Sequence, residues 1–322
     1  MTTKNLGFIG IAMAIFSVVS IGNASEVDTS VCNGNAVPII DHSKLTRIGG
    51  KFLFLEGPTW SVRNEAFYFS EMNFNGSQQF GPKSTLYKLS LPNHISVYEE
   101  DSGTNGLLAV DDFIYTMNHA TRSLSRISTA LKTKEIIVDH YKGLKFNSPN
   151  DLVQGSNGTL YFTDPNWQLS GRNQETKFTG VYSVTREGKL TLLEDSLNQP
   201  NGIALSPDEN TLYIGSLNNG INRYEIDNQG NVGKKEAFVT ITSPDGMAID
   251  CAGNLYVASH TEGVVYIYSN EGKILNKIDL GPKVTNVAFG GSDLKTLLIT
   301  TDHGLYTLAV NIPGLQLNSV VK

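Results

Sequence analysis

Apolar and polar residues alternate with period two along most of the chain, in short runs separated by clusters of Gly, Asp, Asn and Ser. Successive side chains of a strand face opposite sides of a sheet, so this pattern predicts β-strands joined by tight turns. One arrangement recurs six times. The copies open at Glu56 (EGPTWSVRNEAFYFSE), Asn105 (NGLLAVDDFIYTMNH), Asn150 (NDLVQGSNGTLYFTD), Asn201 (NGIALSPDENTLYIGS), Asp245 (DGMAIDCAGNLYVAS) and Asn286 (NVAFGGSDLKTLLITTD). Each opens with a carboxylate or an amide. In most copies an alternating apolar segment follows, then a polar turn, then a second strand-like run such as residues 159–163 or 211–215. That is the signature of a β-hairpin.

Further strand-prone pieces lie between the copies, at 180–184 with 190–193 and at 264–268 with 274–278, so each unit supplies about four strands. The openings are spaced about 41 to 51 residues apart, the range of a propeller blade rather than of a solenoid coil. Long amphipathic helices are missing from the pattern, which excludes βαβ architectures. A barrel or sandwich fits the strand count but not the six openings. The sequence therefore predicts an all-β fold: a six-bladed β-propeller with four-stranded antiparallel blades, occupying residues 45–322 as one domain after an N-terminal extension at 26–44.

The first residues follow a different rule. Lys4 precedes an apolar run at 6–22, then small residues at 23–25 and an abrupt change to polar, acidic sequence at Glu26. This predicts a secretory signal peptide over residues 1–25, cleaved after Ala24 or Ser25. The alternative is a retained anchor, for which the run is short. The mature protein is then expected in the periplasm or outside the cell, with no membrane association. The two cysteines, Cys32 and Cys251, are an even count for a compartment that permits disulfides and point to a bridge, against two inert thiols.

Composition adds exclusions. The 322 residues include 31 Gly and are 40% hydrophobic, which suits an ordered, turn-rich protein rather than a disordered one. With 25 basic against 31 acidic side chains the formal charge is −6, which leaves no basic surface for a nucleic acid partner.

If each opening residue starts an innermost strand, all six converge at one end of the propeller axis. The resulting ring holds two carboxylates (Glu56, Asp245) and four amides (Asn105, Asn150, Asn201, Asn286), with no Cys or His. Oxygen-only donors suit a hard divalent cation, Ca²⁺ before Mg²⁺, and disfavour zinc. Asn or Asp before Gly is also ordinary turn chemistry. Recurrence at one phase, with Pro ahead of Asn150, Asn201 and Asp245, argues for a shared site. A hairpin that leaves the opening residue and returns ends at the same face, where Glu71, His119, Asp164, Ser216, His260 and His303 fall. The histidines there would bond a polar substrate or move protons, or else cap strand ends. His42, His94 and His140 lie outside this phase and are expected at the surface.

The wording of several copies is more specific. Residues 54–60 (FLEGPTW), 146–153 (FNSPNDLV) with 161–165 (YFTDP), 199–208 (QPNGIALSPD) and 244–250 (PDGMAID) closely resemble the gluconolactonase/regucalcin (senescence marker protein) family of six-bladed propellers. The match runs from about residue 45 to 310, and residues 103–106 (GTNG), 118–122 (NHATR) and 284–286 (VTN) resemble its bacterial gluconolactonase branch. The resemblance implies one axial divalent cation, Ca²⁺ first with Mg²⁺, Mn²⁺ or Zn²⁺ as alternatives, held by Glu56, Asn150, Asn201 and Asp245. It also implies a small-molecule lactone substrate, and puts Asn286 near the metal or the substrate. Asn105, Asn286, Asp164, His260 and Glu71 are the candidate substrate-binding residues. One departure stands out: where the regucalcin branch carries an Arg two residues before the Asn ligand, this chain has Ser148.

The implied chemistry is hydrolysis of a sugar or hydroxy-acid lactone, with the cation stabilising the oxyanion that forms as water attacks. Asp245 is assigned as ligand and general base, with His119 or His303 as second choices for the proton. No G-x-S-x-G elbow occurs, which argues against a serine nucleophile. Two other functions fit the same pattern. One is a promiscuous calcium-dependent esterase or organophosphate hydrolase, which an apolar rim at Met72, Phe74, Trp167 and Leu217 would favour. The other is a non-enzymatic periplasmic binding propeller. The loops at 73–83 and 166–178 are expected to shape the pocket.

Overall fold

In the computed structural model, six four-stranded antiparallel sheets follow one another along the chain and form a six-bladed β-propeller. The structure describes residues 30–32, 36–75, 78–218, 220–227, 230–281 and 283–315. Blade 1 comprises Phe54–Ser61, Ala66–Asn73, Lys83–Ser90 and His94–Glu99; blade 2, Thr104–Val110, Phe113–Asn118, Ser123–Ser128 and Lys134–Val138. Blade 3 comprises Leu152–Gln154, Leu160–Asp164, Gly180–Val184 and Leu190–Glu194; blade 4, Pro200–Leu205, Thr211–Ser216, Gly220–Glu225 and Glu236–Val239. Blade 5 comprises Pro244–Ile249, Leu255–Ser259, Val264–Tyr268 and Ile274–Asp279. Blade 6 takes Val284–Gly290, Thr296–Thr301 and Leu305–Ala309 from the end of the chain and its outermost strand, Thr46–Ile48, from the beginning. Thr46 pairs with Thr307 and Ile48 with Leu305, so the ring is closed by backbone hydrogen bonds between the two ends of the fold.

Burial falls from the axis outward. The innermost strand of blade 4 is buried throughout, whereas the outermost strand of blade 2 is exposed or half-buried. Adjacent blades pack face to face through apolar side chains: Tyr256 and Val265 of blade 5 meet Val287, Leu297 and Ile299 of blade 6 in one cluster. Such contacts couple each blade to its neighbours, and burying each large side chain contributes about 1.5–3 kcal/mol.

The segment before the first strand is fastened to the last two blades. Cys32 and Cys251 form a disulfide. Beyond it, Asn254 Nδ2 donates to Ala36 O at 3.0 Å, and Ile39 N–H donates to Asn311 Oδ1 at 2.7 Å. The expected signal peptide at 1–25 lies outside the described residues. Among the described residues no helix is long and apolar enough to cross a membrane.

Candidate functional site at the propeller axis

The six opening residues are buried at the starts of the innermost strands. Their placement follows from a repeated irregularity. The register between first and second strands shifts between Glu56 and Thr59, Thr104 and Leu107, Pro200 and Ile203, Pro244 and Met247, and Val284 and Asn286. A bulge of this kind frees one or two residues from the ladder and re-aims their side chains. Here it frees Asn105, Asn201 and Asp245 and lies directly beside Glu56 and Asn286, which stay paired with Ser70 and Thr300, while in blade 3 Asn150 precedes the strand altogether.

Glycine after the opening residue completes the geometry. A Cβ on Gly57 would lie 2.2 Å from Asn105 O, and one on Gly202 would lie 2.2 Å from Asp245 O. Each glycine thus lets one blade's backbone press on the opening residue of the next. Gly106 N–H donates to Asn150 O at 2.8 Å by the same approach. Blade 3 breaks the pattern, with Asp151 in the glycine position and Thr163 Oγ1 donating to Asn201 O at 2.8 Å.

The side chains meet. Asn201 Nδ2 donates to Asp245 Oδ1 at 2.7 Å, and Asn286 Nδ2 donates to Glu56 Oε2 at 3.1 Å. Gly57 N–H donates to the same Glu56 oxygen at 3.0 Å. Asn105 Oδ1 is buried with no partner among the described residues. Burial, and after it the charge of Asp245, hold the Glu56 carboxyl well above its ordinary range. Burial likewise pushes Asp151 up to about 7, with Asp245 adding to the rise.

Three acids therefore sit within electrostatic reach of one another at the axis, and the charges that act most on Glu56 and Asp151 are other carboxylates. Like charges in a low-dielectric site are costly unless neutralised. Among the described residues no cluster of three His, Cys, Asp or Glu side chains fits a metal. The donors at the axis are instead two carboxylates supplemented by amide oxygens, which fit a hard cation that accepts oxygens in loose geometry.

Of the hairpin-return residues, His260 contacts the axial ring directly. Its Nδ1 lies 3.4 Å from Asp245 Oδ2, at ion-pair distance. Burial depresses the imidazole, but the adjacent Asp245 carboxylate outweighs it and leaves the pKa raised. Glu71 accepts from Leu53 N–H at 2.9 Å and from Tyr87 Oη at 3.0 Å. Asp164 is buried and accepts from Asn147 N–H at 2.8 Å, and burial pushes it up to about 8, so it holds its proton at neutral pH. The Ser216 hydroxyl is buried without a partner among the described residues.

The two histidines expected as alternative bases are placed elsewhere. His119 is buried, with Nε2 2.7 Å from Pro82 O, and burial lowers it to about 4. His303 is mostly exposed, with Nδ1 3.2 Å from Leu53 O. Neither is hydrogen-bonded to an axial side chain.

Beneath the ring a cavity of about 410 Å³ runs down the axis between the innermost strands. Its lining includes Asp151 and Asn286 but not Glu56, Asn150, Asn201 or Asp245, which places it on the far side of the ring from those four. The apolar rim is partly as expected: Phe74 and Trp167 are exposed and Leu217 is half-buried. Met72 is corrected. It is 1% exposed, because strand alternation turns it to the opposite face from its half-buried neighbours Glu71 and Asn73. Sequence reasoning also missed Asp151, although its departure from the residue-Gly openings of blades 1, 2, 4 and 5 was a visible signal.

Comparison with known proteins agrees with this geometry. The model of the SMP-30/Gluconolactonase/LRE-like region matches residues 54–303. A gluconolactonase of Zymomonas mobilis is 31% identical over 275 residues, covering 78% of this chain and 76% of that one. A solved gluconolactonase from Xanthomonas campestris superposes with a TM-score of 0.73 at 24% identity, covering 85% of this chain and 95% of that one. A calcium-binding protein, regucalcin, from Agrobacterium tumefaciens gives 0.68 at 23% identity, covering 87% and 95%.

Proposed function

This chain belongs to the SMP-30/gluconolactonase/LRE-like family, and from that premise we propose that it is a lactone hydrolase whose reaction takes place at the axial ring and depends on a divalent cation, Ca²⁺ first. The observation that carries this is the convergence of Glu56, Asn201, Asp245 and Asn286, from four blades, into two hydrogen-bonded pairs. Glu56, Asn150, Asn201 and Asp245 would hold the cation. When bound, the cation supplies Lewis-acid polarisation of the lactone carbonyl.

The chain's own residues supply orientation and a proton acceptor. Asn201 fixes one oxygen of Asp245, while the other faces His260. Held between them, Asp245 draws the proton from the attacking water. The water oxygen bonds to the carbonyl carbon, the ring C–O bond breaks, and the departing oxygen takes up a proton. The product is a hydroxy acid, which ionises and releases one proton per turnover. His260 and Asn286, which touch the axial carboxylates, the unpartnered Asn105 Oδ1 and the buried, protonated Asp164 are the proposed substrate-binding groups. We also place the protein in the periplasm or outside the cell, which the Cys32–Cys251 bridge supports because disulfides persist in oxidising compartments.

The test is a panel of lactones assayed by proton release on metal-stripped protein, with Ca²⁺, Mg²⁺, Mn²⁺ and Zn²⁺ restored one at a time. Restoration by an oxygen-preferring ion, and loss on chelation under conditions where the protein stays folded, is the expected result. A folded, metal-loaded protein that opens no lactone would point to a binding propeller.

A further inference from the structure

A line of rings leads outward from the axial carboxylate. His260 contacts Asp245, the Phe54 ring centroid lies 5.9 Å from that of His260, and Phe74 meets Phe54 edge to face at 5.3 Å and 83°. The line ends in solvent, since Phe74 is 44% exposed and Leu53, beside Phe54, is 40% exposed. Two more large apolar side chains, Phe80 and Trp167, are also exposed. Their loops touch: a Cβ on Gly81 would lie 2.5 Å from His119 Cδ2 and 3.2 Å from Gln168 O.

Scattered exposed apolar residues are ordinary, but these are not scattered. Phe54 and Phe74 form a wall continuous with the candidate site. Edge-to-face aromatic packing holds the wall rigid, so a ligand loses little by docking on it. The wall offers hydrocarbon and no hydrogen-bonding group, so it contributes nothing specific to the hydroxyls of a polyhydroxylated lactone. A hydrocarbon group would bury apolar surface on both sides.

We propose that the substrate of this site is a lactone bearing an apolar alkyl or aryl substituent, which lies against Phe54 and Phe74 while the ester group faces Asp245. This rests on the lactone-hydrolase reading and specifies its substrate class.

The experiment compares kcat/KM of the full, metal-loaded chain for γ-butyrolactone, γ-phenyl-γ-butyrolactone and glucono-δ-lactone, in the native sequence, Phe74→Ala and Phe74→Leu. The phenyl lactone is expected to exceed both others by about tenfold or more, mainly through KM, the scale set by burying one such group. Phe74→Ala should lower the phenyl-to-parent ratio about fivefold or more, and Phe74→Leu, which keeps an apolar surface, should restore most of it. A preference for glucono-δ-lactone, or a ratio unmoved by Phe74→Ala, overturns the apolar-substituent proposal and leaves the hydrolase reading standing. Failure to open any of the three lactones with any of the four metals overturns both.

Discussion

Asn201 Nδ2 donates to Asp245 Oδ1 at 2.7 Å across the seam between blades 4 and 5. Both residues open their blades, both are buried, and each fixes the other's rotamer before any ligand arrives. This pairing is therefore a property of the blade interface, not of a loop.

Removing the acceptor without removing its shape isolates the chemistry. Asp245→Asn is nearly isosteric and keeps a polar group beside Asn201 and His260, but it cannot take a proton. We expect kcat/KM for lactone opening to fall at least about 100-fold, with a thermal midpoint within a few degrees of the native protein. Proton-release kinetics and a melting curve check both halves. Native-like turnover would remove Asp245 from the role of base.

The glycine that follows Asn201 makes the opposite kind of prediction. Gly202→Ala puts a methyl 2.2 Å from Asp245 O, where only backbone can yield. Overpacking of this severity costs about 1–3 kcal/mol or more, and it displaces Asp245, the proposed base. Stability and activity should therefore fall together. Gly50→Ala, where a Cβ meets nothing within 4 Å, is the matched control and should change stability by less than about 0.5 kcal/mol. Chemical denaturation of both variants decides the point.

These residues also show what a sequence can and cannot disclose. The six openings and the period-two runs were legible because a blade repeats the same local physics: alternation, a turn, and a residue-Gly pair forced by close backbone approach. The convergence of Glu56, Asn201 and Asp245 followed from phase alone. Phase puts Asn286 in the same ring, but that its amide bonds Glu56, and that Thr46–Ile48 is the outermost strand of blade 6, were not legible, because both join residues more than two hundred positions apart and no local pattern encodes which partners pair. The histidines misled for a related reason. Spacing places His119, His260 and His303 at equivalent strand ends, but only tertiary contacts put one beside Asp245, one beneath Pro82 and one in solvent.

His119 makes stability depend on pH with a definite sign. In the folded chain burial keeps the ring neutral down to about pH 4, whereas an unfolded histidine takes up its proton near 6.5. Between those values the unfolded chain binds more protons, so folding stability falls as pH drops from about 6.5 to 4 and stops falling on this account below that. The difference amounts to about 3 kcal/mol at most. His119→Gln keeps a donor for Pro82 O but does not titrate in this window. Denaturation series at several pH values should show the native protein losing ground to the variant across that window, and a constant difference would refute the assignment.

The last prediction concerns the clamp on ring closure. Thr46–Ile48 reaches blade 6 by only a short ladder to Leu305–Ala309, and the chain before it is held by Ala36, Ile39 and the Cys32–Cys251 bridge. The bridge closes a loop of 219 residues in sequence, so in the unfolded chain it removes a large number of conformations. Breaking such a bridge typically costs about 2–5 kcal/mol. Cys32→Ser with Cys251→Ser should therefore lower the free energy of unfolding by that amount, and the denaturation midpoint with it, while kcat at a temperature where the variant stays folded remains near native, because the bridge lies away from Glu56, Asn201 and Asp245. A reducing agent should lower the midpoint of the native protein and leave that of the double variant unmoved. Equal midpoints for the two proteins under oxidising conditions would show that the pairing of Thr46–Ile48 holds the ring shut unaided.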